Sequence, residues 1–304
     1  MTINYKGIWP VAPVAFNPDG TLDLEGSKRV LDFLIDAGVD GVCILANYSE
    51  QFVLADEERE VLTRLSLEHV AGRVPVIVTI SHYATQIAVE RARKVQALGA
   101  DVVMLMPPYH GATLRGTPDQ IFEQFQAVGE VGIPIMIQDA PMAGNDLSVP
   151  LLIRMAKEIE MVKLFKIECI PATGKLRELI AAGGDVIEAP FDGEEGITLM
   201  ADLDAGATGT MTSSTIPDKI RPIVVAHADG DREQAARLYR DALPVINFEN
   251  RQCLWRAAKA AMVAGGVIKS DFGRHPIAPL HPEIRAGLMD VLKPLNPLVL
   301  SWGK

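Results

Sequence analysis

The chain has 304 residues, 48% of them hydrophobic and 22% charged, which suits a soluble globular protein ordered nearly end to end and leaves no large tract to call disordered. A formal charge of −10 and the absence of any Lys/Arg cluster exclude nucleic acid and membrane surfaces as expected partners. The start, Met1 to Lys6, lacks an apolar core of signal-peptide length and no later run approaches a membrane span, so a cytoplasmic protein is expected; Cys43, Cys169 and Cys253, set in apolar contexts, read as buried reduced thiols.

A first apolar strand is predicted over Ile8 to Phe16, followed by a helix from Lys28 to Ala37 with Val30, Leu31, Phe33 and Leu34 on one stripe. Gly38 then precedes the strand Gly41-Val42-Cys43-Ile44-Leu45. A helix over Glu57 to Val70, opened by Asp56, leads to Gly72 and the strand Pro75 to Val78. Gly99 precedes Asp101 to Met106, and Thr117 with Pro118 opens the next helix. Gly132 precedes Pro134 to Ile137, Ser148 with Pro150 opens another helix, and Val162 to Lys166 forms the sixth strand. Gly184 precedes Asp185 to Ile187, and Gly206 precedes Ala207 to Met211. Each glycine reads as a helix C-cap feeding a buried strand.

Nearly continuous apolar strands alternating with helices imply a parallel sheet and an α/β fold. Val14 to Gly20 carries no glycine-rich phosphate fingerprint, which argues against an open doubly wound sheet. Eight units predict a closed (β/α)8 TIM barrel over residues 1–215. Residues 216–304 then complete the barrel and add a C-terminal helical extension, with helices at Arg232 to Leu243 and Arg256 to Val263 and Pro-rich connections at His275-Pro276 and His281-Pro282.

Catalytic groups of such barrels gather at the C-terminal ends of strands. Here those ends are polar: Asn47, Tyr48, Ser49 and Glu50 after the second strand, Ser81, His82 and Tyr83 after the third, and Tyr109 and His110 after the fourth. Gln138 and Asp139 follow on the fifth, Lys166 and Glu168 on the sixth, Asp192 to Glu195 on the seventh, and Ser213 and Ser214 on the eighth. Lys166 carries the most information, because it ends an apolar run. An ammonium among Leu164, Phe165 and Ile167 loses hydration, which lowers its proton affinity and frees the amine to attack a carbonyl; a lysine snorkelling to solvent at a strand end is the alternative. Glu168, two positions on, falls on the same side and either balances that charge or exchanges protons.

These residues resemble the dihydrodipicolinate synthase and N-acetylneuraminate lyase superfamily of Schiff-base barrels over nearly the whole chain. The resemblance implies that Lys166 forms the imine and that Gly193 lies close to the substrate. It also implies that the segment Ala46-Asn47-Tyr48-Ser49-Glu50 holds a 2-keto acid carboxylate through Asn47, Tyr48 and Ser49, although only Glu50 of the family's Gly-Thr-Thr-Gly-Glu is retained. Gln138-Asp139-Ala140-Pro141 stands where lyases of the family carry Tyr-Asn-x-Pro. A carboxamide cannot relay a proton as a phenol can, which disfavours retro-aldol cleavage; the resemblance then implies dehydration of a small-molecule 2-keto-3-deoxy sugar acid. A deaminase of a hydroxylated pyrroline carboxylate and an aldolase of a 2-keto-3-deoxy sugar acid are the alternatives. The C3 proton acceptor stays open among His82, Tyr109, His110, Glu168 and the water released by imine formation, and Ser213 and Ser214 either contact sugar hydroxyls or cap a loop. The resemblance further implies no metal or organic cofactor and a homo-oligomer, a tetramer or dimer of dimers.

Overall fold

Helices that end on glycine and hand over to short apolar strands recur through the computed structural model, which describes residues 3–111, 113–140 and 146–304. Met1, Thr2, Ala112 and Pro141, on which parts of the sequence reading fall, lie outside the described residues. The strands are β1 (Gly7–Ile8), β2 (Val42–Ile44), β3 (Val76–Thr79), β4 (Val102–Leu105), β5 (Ile135–Asp139), β6 (Val162–Ile167), β7 (Ala189–Asp192) and β8 (Gly209–Thr210). The helices that follow them in turn are α1 (Leu24–Asp36), α2 (Asp56–Val70), α3 (Thr85–Ala97), α4 (Pro118–Gly129), α5 (Val149–Glu158), α6 (Ala172–Gly183), α7 (Leu199–Ala205) and α8 (Pro217–Ala228). Helices α9 (Arg232–Phe248), α10 (Arg256–Ala264) and α11 (Pro282–Leu295) form the C-terminal extension of this (β/α)8 barrel.

Two compact units interleave along the chain. The first holds Pro75–Glu194 and Thr198–Met211. Its strands pair in parallel in chain order from β3 to β8. Burial on both faces explains why β4 reads Val-Val-Met-Leu with no polar interruption. The second unit holds Gly7–Val74, Glu195–Ile197 and Thr212–Lys304. There α1 buries Val30, Leu31, Phe33 and Leu34, the predicted stripe, each worth about 1.5–3 kcal/mol when fully removed from water.

Local signals placed most helix ends. The Thr117 hydroxyl accepts from Gln120 N–H at 3.3 Å and the Ser148 hydroxyl from Leu151 N–H at 3.4 Å, with a proline in each first turn. Gly206 ends α7 at φ 109, a conformation costly for any residue bearing a Cβ. Asp56, expected to open its helix, is already helical, and the Glu58 carboxylate instead accepts the Ala55 N–H at 3.0 Å.

Two strands differ from expectation. Ile8 to Phe16 shrinks to Gly7–Ile8 plus single bridges at Val11 and Phe16, because Pro10 and Pro13 have no N–H to give a ladder. Asp185 and Val186 lie in a 3₁₀ turn rather than a strand, and β7 starts only at Ala189. A two-residue antiparallel hairpin, Tyr109–His110 with Leu114–Arg115, was not foreseen.

Candidate active site

Three adjacent strands build the site around the lysine. Gln138 of β5 pairs in register with Lys166 of β6, which pairs in register with Phe191 of β7. Registered residues of parallel strands project to the same face, so the carboxamide and the ammonium stand side by side. Leu164, Phe165 and Ile167 are fully buried around them. Lys166 is itself only 3% exposed, which rules out the solvent-snorkelling alternative.

Its charge is met locally. Lys166 Nζ lies 2.7 Å from Glu168 Oε1, and Gln138 Nε2 donates to the same oxygen at 2.8 Å. The Glu168 backbone is anchored to the fifth strand, its N–H donating to Asp139 O at 3.1 Å. Orienting Gln138 so that nitrogen faces Glu168 leaves Gln138 Oε1 buried without a hydrogen-bond donor among the described residues. It is an acceptor well suited to a substrate hydroxyl.

Gly193, just past β7, closes the other side. A Cβ there would fall 2.5 Å from Glu168 Cγ and 2.9 Å from Lys166 Cγ, distances real side chains do not adopt. Behind the lysine, Lys175 Nζ pairs with Asp139 Oδ2 at 2.5 Å and the Asp139 Oδ1 accepts Leu147 N–H at 3.0 Å. The Cys169 thiol donates toward the Asp139 and Asp146 carboxylates at 3.3 and 3.1 Å. Burial first and the Asp139 charge second hold that thiol above its ordinary range, so it is a poor nucleophile. Sequence reading missed this supporting layer. Only the position of Asp139, next to Gln138 at a strand end, hinted at it.

Other predicted residues have local partners. His82 Nδ1 accepts the Ala84 N–H at 3.0 Å, at the entry to α3. Tyr109 and His110 lie on the short hairpin, the first half-buried and the second exposed; burial raises the Tyr109 phenol above its ordinary value.

In the second unit, Asn47, Tyr48 and Ser49 form a single 3₁₀ turn that ends on Glu50 at φ 60. The Ser49 hydroxyl donates to Ala12 O at 2.7 Å, Asn47 Oδ1 accepts from Gln51 Nε2 at 2.9 Å, and Tyr48 Oη meets Asn250 Oδ1 at 3.4 Å. Glu50, the retained family residue, pairs with Lys259 at 2.7 Å where both side chains are buried. The Ser213 hydroxyl donates to Thr215 Oγ1 at 3.1 Å, and Thr215 donates to Glu249 Oε1 at 2.9 Å.

Glu249 is buried at the start of a π-helical turn, Glu249–Cys253, and burial pushes its carboxyl up to about 7 from an ordinary 4.5. Between those values the folded chain keeps a proton that the unfolded chain has released. This contribution to stability is therefore fully present below about pH 4.5 and is lost as pH rises toward 7. Glu249→Gln, which mimics the protonated acid, should escape that loss. Its urea midpoint relative to the unsubstituted chain is expected to climb across the window, and parallel curves would refute the assignment.

A buried, ion-paired lysine at the end of the sixth strand of a (β/α)8 barrel equips an enzyme to work on carbonyl compounds through a side-chain amine. The chain belongs to the dihydrodipicolinate synthetase family, whose model matches residues 4–295. It is 57% identical over 302 residues, 99% of this chain and 98% of the relative, to the L-2-keto-3-deoxyarabonate dehydratase of Azospirillum brasilense. It is 29% identical to the 4-hydroxy-tetrahydrodipicolinate synthase of Pelobacter propionicus, covering 90% of this chain and 93% of that one. Among solved structures, a candidate dihydrodipicolinate synthetase from Pseudomonas aeruginosa superposes with a TM-score of 0.90 at 30% identity, over 95% of this chain and 99% of the other.

Proposed function

We propose that this chain is a hydro-lyase that converts L-2-keto-3-deoxyarabonate to 2-oxoglutarate semialdehyde and water, a step of non-phosphorylative L-arabinose breakdown. The observation that carries the reading is the full-length similarity to the Azospirillum brasilense dehydratase, supported by the Lys166–Glu168–Gln138 geometry. The enzyme works in the cytoplasm as a homo-oligomer, a tetramer or dimer of dimers.

In this reading Lys166 gives its proton to Glu168 and attacks the C2 ketone, and loss of water leaves an imine. Asn47, Tyr48 and Ser49 hold the carboxylate, as in the family segment they replace. The cationic imine withdraws electrons from C3, whose proton passes to a base, and the resulting enamine expels the C4 hydroxyl as water. Glu168 is the best-placed base, because its Oε1 already lies 2.7 Å from the nitrogen that becomes the imine. Loss of a proton from C5 and protonation at C3 give the enol of the C5 aldehyde, which tautomerises. Hydrolysis of the imine returns Lys166 and consumes the water released when it formed. His82, Tyr109, His110 and Ser213 complete the sugar-acid contacts.

Gln138 steers the reaction by accepting the C4 hydroxyl hydrogen bond at Oε1 without removing its proton, so that carbon–oxygen rather than carbon–carbon cleavage follows. Gln138→Tyr is expected to lower dehydration by about tenfold, the scale of one lost hydrogen bond to the substrate, and to release pyruvate and glycolaldehyde. Unchanged semialdehyde formation would remove Gln138 from the mechanism. The function itself is tested by supplying both enantiomers of the 2-keto-3-deoxypentonate and scoring semialdehyde, pyruvate and ammonia together. Semialdehyde alone is expected, and ammonia or pyruvate as the main product from a suitable substrate would overturn the assignment.

A further inference from the structure

The turn Asn47–Ser49 is bracketed by two residues in the left-handed region, Leu45 at φ 59 and Glu50 at φ 60. A residue bearing a Cβ adopts that conformation at a cost, and such residues persist where their surroundings over-determine them. The turn's own hydrogen bonds set its shape: Ser49 N–H donates to Ala46 O and Glu50 N–H to Asn47 O, at 3.0 Å each, and the Ser49 hydroxyl accepts the Ala46 N–H at 3.1 Å. Two further bonds fix where it stands. The Ser49 hydroxyl donates to Ala12 O on one side, and the Glu50 carboxylate accepts from Lys259 on the other.

Lys259 belongs to α10, 209 residues further along the chain. Its Nζ lies 2.7 Å from Glu50 Oε1, donates to Phe272 O at 2.6 Å and stands 4.9 Å from the centre of the Phe16 ring. Glu50 Oε2 is buried with no hydrogen-bond partner among the described residues, so the lysine supplies the bond that ties this side chain down. Two residues past Phe272 the attachment continues: Arg274 donates to Val53 O at 3.0 Å and to Glu58 Oε2 at 2.6 Å. A buried ion pair adds little net stability over apolar packing, because desolvating both charges offsets their attraction. What it supplies is direction, a set distance between one atom next to the turn and one atom of α10.

We propose that Glu50 and Lys259 are positioning residues for the substrate carboxylate: their buried bond holds the Asn47–Ser49 turn in place, with the segment Phe272–Arg274 as its backing. The role rests on the reading that this turn holds the carboxylate of a 2-keto acid and is independent of which sugar acid is turned over.

The test uses the full chain and cyanoborohydride, with the rate of mass gain at Lys166 followed for two small ketones, pyruvate and hydroxyacetone. The first carries a carboxylate where the second carries a hydroxymethyl group. The ratio of their trapping rates below saturation therefore reads carboxylate recognition, whereas a general loss of structure lowers both rates together and leaves the ratio alone. Lys259→Met is expected to lower the pyruvate-to-hydroxyacetone ratio by about fivefold or more, the scale of one lost hydrogen bond. That variant leaves a buried carboxylate without its cation, so Glu50→Gln combined with Lys259→Met serves beside it. The combination removes both charges at nearly unchanged volume, which folds tolerate, and the same fall in the ratio is expected. Asn47→Asp, which sets a negative charge on the turn itself, should lower the ratio as well. A ratio that changes by less than about twofold in the pair variants while it falls in Asn47→Asp overturns the positioning role alone. A ratio unmoved by Asn47→Asp overturns the assignment of the carboxylate to this turn, and this role with it. No trapping of pyruvate by the unsubstituted chain overturns Lys166 as the nucleophile and everything that depends on it.

Discussion

Lys166→Ala is expected to abolish turnover, with kcat/KM down by about 10⁴-fold or more, the scale on which a covalent nucleophile acts. The mass gain with borohydride and a 2-keto acid should vanish with it. Alanine also strands Glu168, whose side chain is 15% exposed and has lost its cation, and breaking a mostly buried pair in this way destabilises. Lys166→Met, which fills the same space without an amine, together with Glu168→Gln in the same chain, removes the charge imbalance. That double variant should fold and remain inactive. Turnover within about tenfold of the unsubstituted chain in either variant would refute the imine.

Glu168→Gln should lower kcat by about 10²- to 10⁴-fold, the contribution of a positioned acid or base. The glutamine can still bond Gln138 and Lys166, so geometry survives while proton exchange does not. The imine is therefore still expected on long incubation, and borohydride should trap it on Lys166. Slow dehydration with normal trapping places Glu168 in the steps at C3 and C4. A kcat within about tenfold of the unsubstituted chain would return the carboxylate to mere charge balance.

Much of the fold could be read from local signals, because they are short-range. A glycine at a helix end and an apolar run after it specify each strand without knowledge of its neighbours. Where prolines or consecutive turn residues intervened, as at Pro10 and Pro13 or at Gly184 and Asp185, strand limits moved. Lys166 stood out because an ionised group among Leu164, Phe165 and Ile167 violates the pattern, and Glu168 followed from the two-residue period of an extended chain. The contact between Gln138 and Glu168 was not legible, since it depends on the register of β5 against β6.

The ladder that aligns Gln138, Lys166 and Phe191 also determines which insertions and deletions the gene can accept. Removing one residue from Val162–Phe165 would rotate every later side chain of that strand to the opposite face, turning the amine away from its partners and presenting an isoleucine instead. Natural variation in length should therefore spare the sixth strand.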